Sequence, residues 1–202
     1  MKYLLIICIG LFIIAGACQP KKLPILGDRD FVNGDSVYHT IPDFQLVDQD
    51  SNVVTNKTYE NKIYVADFFF STCPTICPIM KTQMLRIYDK FKDNPEVGIL
   101  SHTINPKYDS VAVLKAYADR LGVPASFWHF VTGDKEKIYE LGEKEYYVTA
   151  GEDSTAAGGY IHSGAFILVD KKRRVRGMYD GTKEDQVSRL MKDMDILLKE
   201  EE

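Results

Sequence analysis

Cysteine is scarce in this chain, four in 202 residues, and so is histidine, also four. So few sulfurs exclude a disulfide-stapled scaffold and leave any soft-metal site only a handful of positions to draw on. A surplus of positive charge is lacking too: 25 Lys and Arg stand against 29 Asp and Glu, a net charge of −4. There is no basic footprint for nucleic acid. Internal repeats and low-complexity tracts are absent, as is any long apolar run outside residues 4–14. That run is shorter than the roughly 20 residues of a membrane-spanning helix. What is present, 45% hydrophobic and 27% charged residues, is the composition of an ordinary globular domain.

The chain opens Met1-Lys2-Tyr3, one positive charge ahead of the apolar run, and reads as an export signal. The run ends in Ala15-Gly16-Ala17-Cys18, which resembles a lipobox, whose cysteine is acylated and becomes the new N-terminus. Ala15 and Ala17 also suit ordinary signal cleavage, and an uncleaved anchor is a third alternative. On the first reading residues 1–17 are a lipoprotein-type signal peptide and residues 18–40 a tether and extended arm without periodicity. Residues 41–202 then form one domain with a single core. Cys8 is discarded with the signal and Cys18 carries lipid, so only Cys73 and Cys77 remain for chemistry. The compartment is extracytoplasmic, where a vicinal thiol pair must be kept reduced by another system if it is to hold metal.

Those two cysteines lie in Val65-Ala-Asp-Phe-Phe-Phe-Ser-Thr-Cys-Pro-Thr-Ile-Cys-Pro-Ile-Met80, an apolar strand running into the mouth of a helix. Four residues apart, both thiols can face one side, and a helix N-terminus lowers a thiol pKa, favouring the thiolate that binds soft metals and attacks disulfides. Pro74 and Pro78 suit a helix start rather than its interior. A structural bridge across so short a loop adds little stability, and inert burial of both thiols is the remaining bland alternative.

Around this stretch, residues 43–55 alternate as a β-hairpin and 62–70 form a buried strand. Residues 78–92 are helical, 97–104 a strand, 110–121 a helix, 126–132 a strand and 134–144 a helix capped by Asp134. Residues 164–170 and 175–179 form a hairpin across the charged turn 171–174, and 183–199 close the chain as a helix. Parallel strands joined by helices, then an antiparallel hairpin, predict an α/β thioredoxin-like fold, a central mixed sheet flanked by helices with an added N-terminal β-hairpin. Asp67 stands six residues before Cys73, where thioredoxins carry a buried Asp; a proton-transfer role for the dithiol and a carboxylate bonded to its neighbours are the alternatives.

Cys73-Pro-Thr-Ile-Cys77-Pro, then Tyr160-Ile-His162-Ser ahead of a strand, and Tyr179-Asp-Gly-Thr182 before the last helix, resemble the Sco/SenC family over roughly residues 41–198. The resemblance implies a membrane-tethered copper protein of thioredoxin-like fold that assists assembly of the copper centre of cytochrome c oxidase. It places the copper ligands on Cys73, Cys77 and His162, and the partners are a copper-containing oxidase subunit, a thiol reductant protein and the membrane. The family's Val-Asp-Pro turn is Thr103-Ile-Asn105-Pro106 here. Two thiolates and an imidazole suit Cu(I), and Cu(II) with a further ligand. The alternative is a thiol–disulfide oxidoreductase with Cys73 attacking; a peroxidase would need an oxidant pocket that the sequence does not offer. His39, His102 and His129 read as ordinary histidines, Met80 and Met84 as core, and Tyr146, Tyr147 and Tyr160 as cover for the His162 loop.

Overall fold

A computed structural model describes residues 22–156 and 158–200. The stretch read as an export signal and Cys18 lie outside the described residues. Strands β1 (Arg29–Val32), β2 (Asp35–Tyr38), β3 (Gln45–Asp48), β4 (Val53–Thr55) and β5 (Ile63–Phe69) lead into helix α1 (Cys77–Phe91). Then follow β6 (Val97–Thr103), α2 (Val111–Leu121), β7 (Trp128–Thr132) and α3 (Lys135–Glu140). The chain ends with β8 (Ala150–Glu152), β9 (Tyr160–His162), β10 (Ala165–Val169), β11 (Val175–Asp180) and α4 (Glu184–Leu197).

Seven strands form the central sheet in the order β11-β10-β5-β6-β7-β3-β4. The middle three are parallel, and β10, β11, β3 and β4 join antiparallel. This is the thioredoxin-like α/β arrangement expected from the sequence. β5 is buried along its whole length because both faces are covered. Its odd positions Ile63, Val65 and Phe69 pack with Met80, Met84 and Ile87 of α1 and Leu190 and Met194 of α4. Its even positions Tyr64, Ala66 and Phe68 pack with Ile138 and Tyr146 on the other side. Met80 and Met84 are therefore core residues, at 2% and 1% exposure.

Caps end the helices where the sequence indicates. Ser110 accepts the Val113 N–H at the start of α2, Gly122 closes it at φ 69°, and Asp134 accepts the Lys137 N–H before α3. The helix expected over 134–144 changes character: α3 stops at Glu140 and Leu141–Glu145 widen into a π-turn.

The stretch read as a tether and extended arm carries a hairpin of its own. Residues 29–38 form the β1–β2 hairpin across Asn33-Gly34, both at positive φ. That dipeptide is a strong hairpin signal, but the strands bury almost nothing and so lack the alternation that reveals a half-buried strand. The arm is also tied down, since the Leu26 N–H bonds the Val175 carbonyl at 2.8 Å and Arg176 bonds the Leu23 and Pro24 carbonyls.

Candidate metal and thiol centre

β5 ends at Phe69, and a turn closed by the Cys73 N–H on the Phe70 carbonyl, 3.1 Å, presents Cys73. Four residues on, Cys77 is the first residue of α1 and Pro78 the second, where a missing N–H costs nothing. Cys73 is half-buried and Cys77 buried, both free thiols. His162 arrives from the far side of the sequence on β9, whose pairing with β8 sets Ala150 opposite His162. The segment around His162, expected as a loop, is thus part of a hairpin whose strands are three residues each, too short for a periodic signal.

His162 Nε2 lies 3.1 Å from the Cys77 Sγ and 3.9 Å from the Cys73 Sγ. All three donor atoms fall within 4.8 Å of one another, and among the described residues this is the one His, Cys, Asp or Glu group that could hold a metal ion. Donors sharing one first-row ion lie up to about 4.5 Å apart, so little movement separates this arrangement from a three-ligand set. His162 is 8% exposed, and its Nδ1 is buried without a hydrogen bond of standard geometry. Burial lowers its pKa, although the backbone of Ser163 and Phe68 lies close enough to oppose this. The neutral imidazole, the form that coordinates metal, is favoured.

The two thiols are not equivalent. Burial alone would raise Cys73, but the backbone N–H groups of Thr75 and Cys77 and the side chains of Cys77 and Thr75 draw its pKa below the ordinary thiol value. For Cys77 burial wins and the pKa rises well above it. The lowered pKa expected for both sulfurs thus holds for Cys73, while at Cys77 burial outweighs the contributions that would lower it.

The ring of Phe70 is the platform beneath the hairpin. It stands 5.1 Å from the Tyr160 ring and edge-on to His162 at 5.8 Å. Gly158, at φ +84°, rests where a Cβ would come within 3.0 Å of Phe70 and 3.3 Å of Pro74. Neither residue carries an ionisable or metal-binding group, so no chemical motif in the sequence marks them.

A model of the family described as SCO1/SenC matches residues 33–198. The chain belongs to the SCO1/SenC family. It is similar to the SCO1 protein homolog of Bacillus subtilis, 28% identical over 166 residues that cover 79% of this chain and 83% of the relative. Among solved structures it resembles a SCO1/SenC family lipoprotein from Bacillus anthracis, TM-score 0.73 at 26% identity, covering 80% of this chain and 96% of that one. BsSco, described with a disulfide switch and as a member of the Sco family of cytochrome c oxidase assembly proteins, matches at TM-score 0.66 and 27% identity, covering 77% and 93%.

The other sequence candidates fall away from this SCO1/SenC centre. His39 pairs with Glu145 at 3.1 Å, and His129 with the buried Asp48 at 3.0 Å. His102 is fully buried on β6, stacked 4.6 Å from Phe68. Tyr146 does not cover the loop: it is buried in the core, 3.0 Å from the Tyr64 hydroxyl. Tyr147, at φ 57°, packs edge-on to His39 at 5.4 Å, and only Tyr160 lies against the hairpin platform. Asn105 sits in the turn after β6, where its carbonyl accepts the N–H groups of Tyr108 and Asp109.

Asp67 accepts a short hydrogen bond from Ser101, whose oxygen in turn accepts the Trp128 indole N–H at 2.8 Å. Burial pushes the Asp67 carboxyl up to about 7 against that hydrogen bond. Asp67 and Cys77 line one cavity of about 10 Å³, the size of a single water.

Proposed function

We propose that this SCO1/SenC protein is a membrane-tethered, extracytoplasmic copper chaperone that delivers copper to a copper-containing subunit of a respiratory cytochrome c oxidase. Copper is the cargo, held by Cys73, Cys77 and His162. The observation that carries the reading is the convergence of two thiols and an imidazole from segments 85 residues apart. Two soft thiolates favour Cu(I), the imidazole suits Cu(I) and Cu(II) alike, and loading displaces the thiol protons. Likeness to an oxidase assembly protein supports the acceptor, and likeness to a SCO1/SenC lipoprotein supports an anchor on Cys18.

Anaerobic titration of the reduced protein with Cu(I) against a competing chelator tests the site, with one equivalent bound as the expected result. After oxidation to the Cys73–Cys77 disulfide, binding should vanish, because each sulfur has lost its anionic lone pair. One equivalent retained by the oxidised protein would sink the assignment. For the anchor, Cys18→Ser should move the protein from the membrane fraction to the soluble one with its fold intact, and a variant still lipidated would remove that part.

The thiol asymmetry supports a second use of the same centre, thiol–disulfide exchange with a partner protein. The Cys73 thiolate attacks one sulfur of a partner disulfide, forming a mixed disulfide and releasing the other partner sulfur as thiolate. Cys77 then attacks the Cys73 sulfur, and the partner leaves with both its thiols while Cys73 and Cys77 are oxidised to a disulfide. Cys77 must lose a proton for this step, and Asp67, which shares its cavity, is placed to accept it through one water.

A further inference from the structure

Asp109 is 0% exposed and lies in the connection between β6 and α2, one residue ahead of the cap Ser110. Its carboxylate is not spent on its own helix. It receives the Thr103 hydroxyl at 2.5 Å, the Ser71 backbone N–H at 3.1 Å and, in a short contact, the Ser71 hydroxyl. Three donors on one buried carboxyl group make a strong anchor, and among the described residues no Lys or Arg contributes to it.

Ser71 is the second residue of the turn that presents Cys73, the turn closed between the Phe70 carbonyl and the Cys73 N–H. Both donors of this residue end on Asp109, so the corner of the turn is held from a different element. The preceding bond, Ile104 N–H to Phe69 carbonyl at 2.8 Å, continues the β5–β6 pairing up to the same point. Beyond Ser71 the turn has no sheet partner. Cys77 is the first residue of α1, whereas Cys73 stands before the helix begins, in the turn whose corner is Ser71.

We propose that Asp109 is a positioning residue for the metal centre: by clamping Ser71 it sets where the Cys73 sulfur stands relative to Cys77 and His162. The inference rests on the copper reading only for its functional readout, since the clamp itself is a statement about the turn.

The test compares Asp109→Asn and Ser71→Ala with Asp48→Asn. Asp48 is an equally buried carboxylate that binds the Asp50 and Asn52 N–H groups and His129, two strands beyond β6 across the sheet. Its substitution supplies a comparable loss of stability away from the centre. Two quantities are read in each reduced protein: Cu(I) affinity by chelator competition, and amide hydrogen exchange at Cys73 without metal. Asp109→Asn should weaken Cu(I) binding about tenfold and speed exchange at Cys73 about tenfold, with Ser71→Ala moving both the same way by less. Asp48→Asn should leave both at wild type. The proposal is overturned if Asp109→Asn and Ser71→Ala keep wild-type exchange at Cys73, or if Asp48→Asn weakens copper as much as they do. Should Asp109→Asn not fold, Ser71→Ala decides by the same two readings. Should the wild-type protein bind no copper, the copper reading fails and exchange at Cys73 alone decides the clamp.

Discussion

The Cys77 Sγ and the His162 Nε2 stand 3.1 Å apart across 85 residues of sequence. One is fixed by the first turn of a helix, the other by a two-stranded hairpin outside the main sheet. The two sides of the centre are thus built on separate elements, and the His162 side is the one to perturb.

Replacing the imidazole separates the two oxidation states. His162→Ala should weaken Cu(II) binding at least about hundredfold, because Cu(II) needs nitrogen beside sulfur, and Cu(I) by less, because two thiolates hold Cu(I) alone. The variant should reduce a model disulfide at the wild-type rate. Cu(II) affinity equal to wild type would remove His162 from the site and make disulfide exchange the better account.

The hairpin tip offers a finer probe. Gly158 and Gly159 both have positive φ, +84° and +81°, so alanine at either costs about 1 kcal/mol of backbone strain. Only at position 158 does the added Cβ meet Phe70 and Pro74; at 159 none of the described residues lies within 4 Å. Gly158→Ala should thus weaken copper binding several-fold further than Gly159→Ala at similar stability. Equal effects in a paired titration would show that the tip does not seat against the Cys73 loop.

How much of this was legible in the sequence follows from where information is local. The β5 run, the Cys73 and Cys77 spacing, the Ser110 and Asp134 caps and the Gly122 stop are written in neighbouring residues, and the structure carries them as read. The Ser71–Asp109 bond joins residues 38 apart through a carboxylate that, read locally, merely precedes a helix cap. Pairings of that kind have no periodic signature. The burial that raises Cys77 was equally hidden, because exposure at a helix mouth depends on what packs over it.

Two buried groups give opposing pH dependences in the metal-free protein. Asp67 titrates near 7 instead of near 3.8, so its contribution is full below about 4 and is lost as pH rises to 7. Burial pushes His102 down from 6.5 to about 4, so its contribution is full above about 6.5 and is lost as pH falls toward 4. Over this window the two slopes cancel in part. Denaturant unfolding of Asp67→Asn should expose the acid-side loss, and His102→Phe the loss on the alkaline side, each on the order of 2–3 kcal/mol. Wild-type slopes in both variants would mean that neither residue is perturbed as described.

The order in which the two thiols react follows from exposure and charge together. Cys73 is half-buried with a lowered pKa, while Cys77 is 5% exposed with a raised one. One equivalent of iodoacetamide at pH 7 should therefore label Cys73, with Cys77 at least about tenfold slower, because both thiolate fraction and access favour the first sulfur. In Cys77→Ser the sulfur that resolves the mixed disulfide is gone, so a partner carrying a disulfide should stay covalently bound to Cys73, and reductant should release it. Peptide mapping of the alkylated protein and a non-reducing gel of the variant read the two arms. Label arriving first on Cys77 would reverse the assignment, and with it the order in which the two sulfurs act in exchange.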